Sequence, residues 1–452
     1  MIDLTHFQGK NIAVLGLGKS GFATAKALEL SRVDYVAWDD NSNTRAKATA
    51  YGLTLEDLTN YDFKGTDYLV LSPGISHTLP TPHPIVVRAK QAGIEIINDV
   101  FLFKEAMKGK DIIAITGTNG KSTTTALIYH VLQARLTCQM GGNIGTALME
   151  LNSECDVTVA ELSSYQTEIT PNLNATGVVW LNITPDHIDR HGDIDGYIAA
   201  KARIFETELS AGIAVICIDD AHSQKIYEAV KNMGKWTVIP VSTKQILEGG
   251  VCIVDGDIFD KGVNVGTMHE AQRLKGTHNH QNAACAYAIA RYIYSIQPQN
   301  ILSQFQRFDG LAHRQFHVAR IGNVDYINDS KATNAEATEK ALQSYENIYW
   351  LAGGVAKDGG LLPLKPYLST VQKVYLYGEC ALDYKMFLDG QSVTCEIFLN
   401  LEDAFQKAHT GAQEININAT VLLSPAAASF DQYPNFEKRG EHFEECIKKT
   451  DV

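Results

Sequence analysis

The chain has 452 residues, enough for about three domains at the usual 100–200 residues each. Its formal net charge of -13 at pH 7 argues against a nucleic-acid partner or an acidic membrane surface. Eight cysteines without a C-x-x-C pair are typical of a reducing compartment and show no pattern of a disulfide or zinc framework. Because the chain start lacks an apolar segment and no apolar run approaches the roughly 18 residues of a membrane span, we expect a cytoplasmic protein without membrane insertion.

Short apolar strands alternate with loops and helices along the whole chain. Their apolarity is continuous rather than alternating, which indicates strands covered on both faces and therefore mainly parallel α/β sheets. The clearest strand segments are residues 11–16, 67–74, 111–117, 177–184, 347–354, 373–378 and 420–425. Changes in pattern near Asn98 and Gly310 predict three domains, at residues 1–98, 99–310 and 311–452.

The first loop of interest is "GLGKSG", residues 16–21, which fits G-x-G-x-x-G between a strand and a helix. Asp39 ends the next strand, about where a ribose-binding acid of a dinucleotide site would lie. The same turn can hold any pyrophosphate at a helix N-terminus, and a purely structural tight turn is an equally good interpretation. The loop is therefore compatible with a dehydrogenase but does not establish that function.

The second loop, "ITGTNGKSTTT" at residues 115–125, follows a strand and opens a helix. Gly117 and Gly120 allow backbone amides to converge on phosphate oxygens, Lys121 supplies a positive charge, and Ser122 can ligate magnesium. The spacing G-x-x-G-K-S has two intervening residues where the common phosphate loop has four, so a chance glycine turn is the alternative. The helix-opening G-K-S-T-T-T favours nucleoside triphosphate binding.

Three polar residues then follow or interrupt apolar segments. Glu161 offers a hard oxygen for magnesium and His187 a nitrogen ligand, although either can equally be a hydrogen-bonded residue at a strand end. In "IDGYIAAKARIFE", residues 194–206, helical spacing puts Lys201 on the apolar stripe. Such a lysine either extends its ammonium to solvent or stays buried as a neutral amine, which can add carbon dioxide to form an anionic carbamate.

A set of motifs together resembles the bacterial Mur ligase family. They are "GTNGKSTTT", "GGNIG", "ELSSYQ", "NITPDHIDRH", "AAKARIF", "HNHQNAACA", "HR" at 313–314, "NDSKATN", "GGVAKDGG" and "SPAAASFDQYPNFEKRG". The central motifs are shared by all Mur ligases and by folylpolyglutamate synthases. "NDSKATN" and "SPAAASFDQYPNFEKRG" resemble the D-glutamate-adding branch.

The resemblance implies a fold and a reaction. The fold has a Rossmann-like domain for the UDP group, a central P-loop-type ATPase domain and a C-terminal Rossmann-like domain for the amino acid. The implied cofactors are ATP and Mg²⁺, and the substrates are UDP-N-acetylmuramoyl-L-alanine and D-glutamate, joined in peptidoglycan precursor synthesis. In such enzymes the substrate carboxylate attacks the γ-phosphate of ATP, and the incoming amine displaces phosphate from the acyl phosphate. We expect a monomer.

The resemblance also implies roles for individual residues. The catalytic residues are Lys121, His187 and Lys201, and the metal ligands are Ser122, Glu161, His187 and carbamylated Lys201. ATP would be bound by Gly117, Thr118, Asn119, Gly120, Lys121, Ser122, Thr123, Asn279, Asn282, Arg314 and Asp329. The UDP substrate would be bound by Gly18, Lys19, Ser20, Asp39, Ser72, Asn143, Ser163 and Gln166. D-Glutamate would be bound by Lys331, Thr333, Lys357, Ser429 and Phe436.

Two departures from the family pattern and three alternatives remain. "DNS" follows Asp39 where relatives often have a hydroxyl or cationic residue, and Ala427 stands where cysteine is common. The alternatives are a related ligase that adds another amino acid or extends folate, a nicotinamide-dependent dehydrogenase, and a nucleotide-dependent switch without ligation. The amino-acid dependence of nucleotide hydrolysis distinguishes the ligases from the other two.

Overall fold

The protein consists of mainly parallel sheets covered by helices. Its computed structural model describes residues 1–357, 359–415 and 417–450. The chain forms two units, Met1–Phe308 and Asp309–Val452. The first unit contains two sheets, and the second unit contains one large sheet and a two-stranded ribbon. The expected boundaries near residues 98 and 310 stay predictions.

The first sheet of unit 1 has four parallel strands in the order β2-β1-β3-β4. Its elements are β1 (Asn11–Leu15), α1 (Lys19–Leu30), β2 (Asp34–Trp38), α2 (Ser42–Ala50), β3 (Tyr68–Leu71), α3 (Pro84–Gln91) and β4 (Glu95–Ile97). Gly21 in α1 allows the helix to approach β1 closely, because a Cβ atom there would lie 1.8 Å from the carbonyl oxygen of Gly16. The "GLGKSG" loop is thus held between β1 and the start of α1.

The second sheet of unit 1 has nine strands in the order β13-β12-β11-β10-β9-β8-β5-β7-β6. Its first half comprises α4 (Asp99–Ala106), β5 (Asp111–Thr116), α5 (Lys121–Leu132), β6 (Cys138–Gly142), β7 (Val157–Glu161), α6 (Ser164–Glu168), β8 (Gly177–Trp180), α7 (Ile188–His191) and α8 (Ile194–Ala202). Its second half comprises β9 (Gly212–Cys217), α9 (Ala221–Asn232), β10 (Trp236–Ser242), β11 (Val251–Val254), β12 (Asp257–Asp260), β13 (Val263–Thr267), α10 (Thr277–Tyr292) and α11 (Pro298–Gln306).

The sheet of unit 2 has the order β14-β15-β20-β16-β18-β19, with only β14 antiparallel to its neighbour. The elements are β14 (Phe316–Ile321), β15 (Val324–Asn328), α12 (Ala335–Ser344), β16 (Ile348–Gly353), β17 (Val355–Ala356), β18 (Val371–Tyr377), α13 (Ala381–Asp389), β19 (Cys395–Ile397), α14 (Leu401–Gln413), β20 (Ala419–Leu423), β21 (Ala427–Ala428) and α15 (Phe436–Thr450). Strands β17 and β21 form the separate ribbon.

The α/β prediction is confirmed, since every apolar segment named above forms a strand. Every residue of β7, β8, β16 and β20 is buried, as expected of strands covered on both faces. The antiparallel edge formed by β12 and β13 was not predicted, because these strands are short and partly exposed. Among the described helices, none is long and apolar enough to cross a membrane.

Candidate functional site

The phosphate-loop sequence connects β5 to α5 and depends on two glycines. Gly117 has φ +146° and Gly120 has φ +86°, values that other residues rarely adopt. A Cβ atom at Gly120 would lie 2.4 Å from Oδ1 of Asn282, so a side chain there is excluded by space as well. Backbone amides of this turn precede the positive end of α5, the arrangement that binds phosphate groups.

The loop is braced by Asn182, which follows β8. Asn182 O accepts from Thr118 N at 2.8 Å, and its side chain exchanges hydrogen bonds with the backbone of Asn119 at 2.9 and 3.1 Å. Gln281 of α10 accepts a further bond from the Asn182 side chain at 2.8 Å. The loop conformation is therefore fixed by the neighbouring strand and not by its own residues alone.

Lys201 lies under the loop. Its side chain is 2% exposed, and Nζ donates to the carbonyl oxygen of Gly117 at 2.9 Å. Burial lowers the pKa of Lys201 to about 7, with the charge of Lys121 contributing in the same direction. Of the two alternatives that the apolar stripe leaves open, the structure shows the buried lysine, and a neutral amine is accessible there near neutral pH.

Lys121, the first residue of α5, bends back over the turn. Its Nζ donates to the carbonyl oxygens of Gly117 and Thr118 at 2.9 and 2.7 Å. Ser122, next along the helix, is 7% exposed. Gly117 O therefore accepts from both lysines, which brings two of the predicted catalytic residues to one atom.

Glu161 ends β7 beside the phosphate-loop strand and is 2% exposed. Its Oε1 accepts from Asn143 Nδ2 at 3.1 Å, whereas no described residue donates a hydrogen bond to its buried Oε2. A buried carboxylate oxygen without a hydrogen-bond partner is costly unless a cation or donor occupies the site. Glu161 pairs with Ile115 of β5, two residues before Gly117, whose carbonyl oxygen Lys201 contacts.

His187 directly precedes α7 and has a left-handed backbone, φ +53°. Its ring lies 5.0 Å from the ring of Tyr165, and Nε2 lies 3.5 Å from Asp186. The imidazole is half-exposed. Its role as a metal ligand stays a prediction.

Asn279 and Asn282 lie on α10, which packs against α5. Asn282 is buried, and its Oδ1 accepts from Thr124 Oγ1 at 3.1 Å. Its Nδ2 donates to Oδ1 of Asn279 at 3.3 Å. The amide of Asn282 thus joins two helices, in addition to the adenine contact expected from the sequence.

A cleft of about 420 Å³ opens beside the first glycine-rich loop, within unit 1. Seven of the eight residues predicted for the UDP substrate line it: Gly18, Lys19, Ser20, Asp39, Ser72, Asn143 and Gln166. Ser163, the eighth, caps α6 and contacts Oε1 of Gln166 at 3.1 Å. The cleft thus contains residues from both sheets of unit 1.

Several lining residues are already hydrogen-bonded to the backbone. Asp39 accepts from Leu17 N at 2.7 Å, Ser72 donates to Gly16 O at 2.8 Å, and Lys19 donates to Gly145 O. Pro73, Gly74 and Ile75 also line the cleft, although the sequence analysis assigned them no role. Their position directly after β3, at the carboxyl edge of the first sheet, is the signal that could have found them.

In unit 2, Asp329 follows β15 and is buried. Its two oxygens accept from Gln315 N at 3.0 Å and from Ser424 Oγ at 2.7 Å. Burial raises the pKa of Asp329 to about 7, against the opposing influence of Arg314. Arg314, also predicted for ATP, directly precedes Gln315, so the carboxylate of Asp329 holds the segment that carries Arg314 and joins the start of β14 to the end of β20.

Lys331 and Phe436, predicted for D-glutamate, meet in unit 2. The Lys331 ammonium lies 5.8 Å from the centre of the Phe436 ring, within the range of a cation–π contact. Thr333 N donates to Lys331 O at 2.9 Å and keeps the turn compact. Ser429 is 2% exposed, and its carbonyl oxygen accepts from Tyr433 N at 2.8 Å.

Lys357 lines a separate cavity of about 440 Å³ within unit 2, together with Asn334, Glu336 and Ala426. The cavity lies at the ends of β16 and β20, where open α/β sheets bind ligands.

Arg439 on α15 was not singled out from the sequence, although "FEKRG" belongs to a quoted motif. It is completely buried. Its guanidinium donates to Ser330 O at 2.8 Å, Ser330 Oγ at 3.0 Å, Ala427 O at 3.0 Å and Gly353 O at 3.3 Å. One side chain thereby joins the loops after β15, β16 and β20. The sequence does not reveal this role, because Arg439 is distant from most of these contacts along the chain.

Comparison with known proteins adds a family match. Residues 115–290 match the family described as Mur ligase middle domain. The UDP-N-acetylmuramoylalanine–D-glutamate ligase of Caulobacter vibrioides is 43% identical over 460 residues, covering 99% of this chain and 97% of the relative. The enzyme of the same name from Rhodospirillum rubrum is 41% identical over 459 residues, covering 99% and 96%.

Solved structures show the same fold at lower identity. UDP-N-acetylmuramate-alanine ligase MurC from Thermotoga maritima has a TM-score of 0.60 at 17% identity, covering 97% of this chain and 99% of its own. MurF ligase from Thermotoga maritima in complex with ADP has a TM-score of 0.54 at 16% identity, covering 100% and 98%.

Proposed function

This chain belongs to the Mur ligase family, and we propose that it is the ATP-dependent ligase that joins D-glutamate to UDP-N-acetylmuramoyl-L-alanine. The reaction contributes to peptidoglycan precursor synthesis. We place it in the cytoplasm and assign it a monomeric state. The relatives that support this assignment match 99% of the chain, unit 2 included.

The observation that carries the proposal is the cluster under the phosphate loop. Lys121 and Lys201 donate to one carbonyl oxygen, and the carboxylate of Glu161 acts electrostatically on Lys201. A dehydrogenase has no use for two lysines and a buried acid beneath a glycine turn. Phosphoryl transfer between anions requires such groups, because charge repulsion and positioning limit its rate.

The residues present fit magnesium. Glu161 Oε2 is buried without a hydrogen-bond partner among the described residues, and Ser122 presents a hydroxyl in the first turn of α5. Carboxylate and hydroxyl oxygens are the ligands that Mg²⁺ prefers. We assign Ser122, Glu161, His187 and carbamylated Lys201 as the residues that hold the metal. When bound, Mg²⁺ neutralises charge on the phosphate groups of ATP.

The chain's own groups then have defined tasks. The backbone amides from Gly120 to Thr123, at the start of α5, hold the phosphates, and Lys121 stabilises negative charge on the γ-phosphoryl group as the substrate carboxylate attacks it. Attack forms the acyl phosphate and releases ADP. The amine of D-glutamate then attacks the acyl carbon, phosphate leaves, and one proton passes from the amine to solvent or a base.

Lys201 supports the carbamate assignment through its surroundings. It lies between a carbonyl oxygen and the ring of Tyr197, 4.6 Å away, and is shielded from water. A neutral amine adds carbon dioxide with formation of an N–C bond and loss of one proton. The product carries a negative charge where a second metal ion needs an oxygen ligand.

The nucleotide part of the acceptor is assigned to the cleft at the first glycine-rich loop. Its seven predicted residues include Lys19 and Ser20, the first two residues of α1. The N-terminus of a helix is a suitable site for a pyrophosphate. D-Glutamate is assigned to Lys331, Thr333, Lys357, Ser429 and Phe436. Two ammonium groups match the two carboxylates of this amino acid.

The decisive experiment measures ADP and phosphate release by the purified chain with ATP, Mg²⁺ and UDP-N-acetylmuramoyl-L-alanine. We expect sustained release only when D-glutamate is added, with L-glutamate and D-aspartate at least about tenfold slower. Equal rates with L-glutamate indicate the folate-type branch. Release of ADP and phosphate at a rate that does not depend on any amino acid indicates a nucleotide switch.

A further inference from the structure

Three metal-binding side chains meet on the surface of unit 2, in a place that the ligase reaction does not use. They are Glu402 in the first turn of α14, and His442 and Cys446 on α15. One ligand atom from each lies within 4.8 Å of the other two. His442 and Cys446 are four positions apart on one helix, so both point toward the neighbouring helix.

We propose that these three residues form a site for a thiophilic divalent cation of the Zn²⁺ type. Zn²⁺ binds cysteine sulfur, histidine nitrogen and carboxylate oxygen at about 2.0–2.3 Å in a tetrahedral arrangement. Ligand atoms in such a site are about 3.3–3.8 Å apart, so side-chain movements of about 1 Å close the site. Three protein ligands leave the fourth position to water.

The histidine is already oriented for metal binding. The Tyr433 hydroxyl lies 2.7 Å from Nδ1 of His442, and Nε2 faces Glu402 Oε2 at 3.7 Å. Metal-binding histidines usually have their other ring nitrogen held by a hydrogen-bond partner, which fixes the tautomer and the direction of the ring. Tyr433 fills that role from outside the ligand set.

The cysteine provides a second, independent indication. Cys446 is 0% exposed. Among the described residues, the thiol has a hydrogen bond only with the backbone of Cys446 itself. Cys446 is the buried member of the cluster. His442 and Glu402 are 28% and 43% exposed, which leaves an open side through which an ion can enter.

The charges around the cluster permit a cation. Lys449 contacts Oε1 of Glu402 at 2.9 Å, while Oε2 is the oxygen nearer to His442. The lysine and a metal can therefore use different oxygens of one carboxylate. Glu445 adds a second negative charge near Cys446. On binding, Cys446 loses its proton to solvent and becomes a thiolate ligand.

The donor set separates this site from the magnesium site of unit 1. Mg²⁺ prefers oxygen ligands, whereas a thiolate and an imidazole select Zn²⁺ and similar ions. A bound ion would join α14 to α15, the helix that carries Arg439 and its contacts to three loops. The site thus offers a means by which metal availability alters the stability of unit 2.

The test uses the full chain, stripped of metals and kept reduced, with Co²⁺ as a spectroscopic probe. We expect one equivalent of Co²⁺ to give a thiolate-to-cobalt charge-transfer band. One equivalent of Zn²⁺ should remove the band, and a thousandfold excess of Mg²⁺ should not. Zn²⁺ should also raise the unfolding temperature of the chain.

Variants assign the ligands. Cys446→Ser should abolish the band, His442→Gln and Glu402→Gln should weaken Co²⁺ binding at least about tenfold, and Tyr433→Phe should weaken it by about 10–100-fold. Cys395→Ser is the matched control, since Cys395 lies near Asp389 in the same unit and should keep the band. If Cys446→Ser does not fold, the partly exposed His442 and Glu402 still decide the outcome. Absence of the band in the unchanged chain, or its loss only in Cys395→Ser, overturns the proposal.

Discussion

Lys201 and Lys104 are two buried lysines with similar contacts and different neighbours. Lys201 donates to one carbonyl oxygen and lies 4.6 Å from the ring of Tyr197. Lys104 donates to the carbonyl oxygens of Pro171 and Asn172 and lies 4.9 Å from the ring of Phe101. Only Lys201 lies beside the phosphate loop, which makes Lys104 a natural control.

We predict that Lys201→Arg reduces ligase activity by about a hundredfold or more, because arginine stays positively charged and cannot form the carbamate. Lys104→Arg should keep at least half of the activity. Steady-state ADP release measures both. A carbamate carbon signal after incubation with ¹³C-bicarbonate should be present in the unchanged chain and missing in Lys201→Arg. Full activity of Lys201→Arg would show that Lys201 acts as an ordinary cation.

Glu161 offers a test of the magnesium assignment. Glu161→Gln keeps an oxygen for the hydrogen bond from Asn143 but removes the negative charge, so we predict a loss in kcat of about 10²–10³-fold and a higher magnesium requirement. Asp156, exposed just before the same strand, provides the control Asp156→Asn. A magnesium titration of activity distinguishes the two variants. An unchanged titration curve for Glu161→Gln would remove this residue from the metal site.

At this scale the sequence predicted residue types better than contacts. The apolar stripe placed Lys201 on the inner face of its helix and left its burial open, and the motif predicted Glu161 at a strand end. The bond from Lys201 to Gly117 and the bracing by Asn182 depend on segments that are distant in the chain, so local pattern contains no signal for them.

The start of helix α4 contains a buried acid. Asp99 is 3% exposed, and its Oδ1 has no hydrogen-bond partner among the described residues. Burial raises the pKa of Asp99 to about 6. In the unfolded chain the group titrates near 3.9, so between these values the folded chain holds a proton that the unfolded chain has released. The free energy of unfolding therefore falls as pH rises from about 4 to about 6.

We predict that Asp99→Asn removes this pH dependence, which amounts to at most about 3 kcal/mol across the window. Urea unfolding at pH 4.5 to 7.5 measures it, with the exposed Asp383 at a helix start as the control Asp383→Asn. The informative quantity is the difference in slope between variant and unchanged chain. Parallel slopes would mean that Asp99 is ionised throughout.

Arg439 makes helix α15 a support for three loops. We predict that Arg439→Met destabilises the chain by about 3 kcal/mol or more, because four acceptors lose a buried donor, and raises KM for D-glutamate. Lys438→Met, one position earlier and exposed, should change stability by less than about 0.5 kcal/mol. Urea unfolding and D-glutamate titrations provide the two readouts. A stable Arg439→Met variant with unchanged KM would contradict the supporting role.

Strands could be predicted from the sequence where both of their faces are buried. Continuous apolar runs such as β16 leave no other interpretation than a covered strand, and every such prediction is confirmed. The hairpin β12–β13 and the short ribbon β17–β21 were missed, because their partly exposed strands lack an apolar signal and depend on pairing with another segment.

Unit 2 has the attributes of an independent folding unit. Its sheet has one hydrophobic cluster around Trp350 and another around Phe405. We predict that residues 309–452 expressed alone unfold cooperatively in urea, followed by circular dichroism. Residues 330–452 serve as the control: they lack β15, the partner of β20 inside the sheet, and should not fold. Non-cooperative unfolding of the longer fragment would contradict independent folding.

For the molecule as a whole, charge and length indicate a globular protein of about three domains, and the domain boundaries stay a prediction beside the two units of the structure. Charge and length could not predict strand order. In the nine-stranded sheet β5 lies between β7 and β8, an arrangement set by long-range packing and not by any neighbouring sequence.

The contact between α5 and α10 has a consequence for synthesis on the ribosome. Thr124 and Asn282, which join the phosphate-loop helix to α10, are 158 residues apart in the chain. At roughly 5–20 residues per second, translation needs about 8 to 32 s to add that length. The nascent chain therefore lacks the helix that supports its phosphate loop for about half of the time in which unit 1 is made, so the ATP site is completed late in the synthesis of that unit.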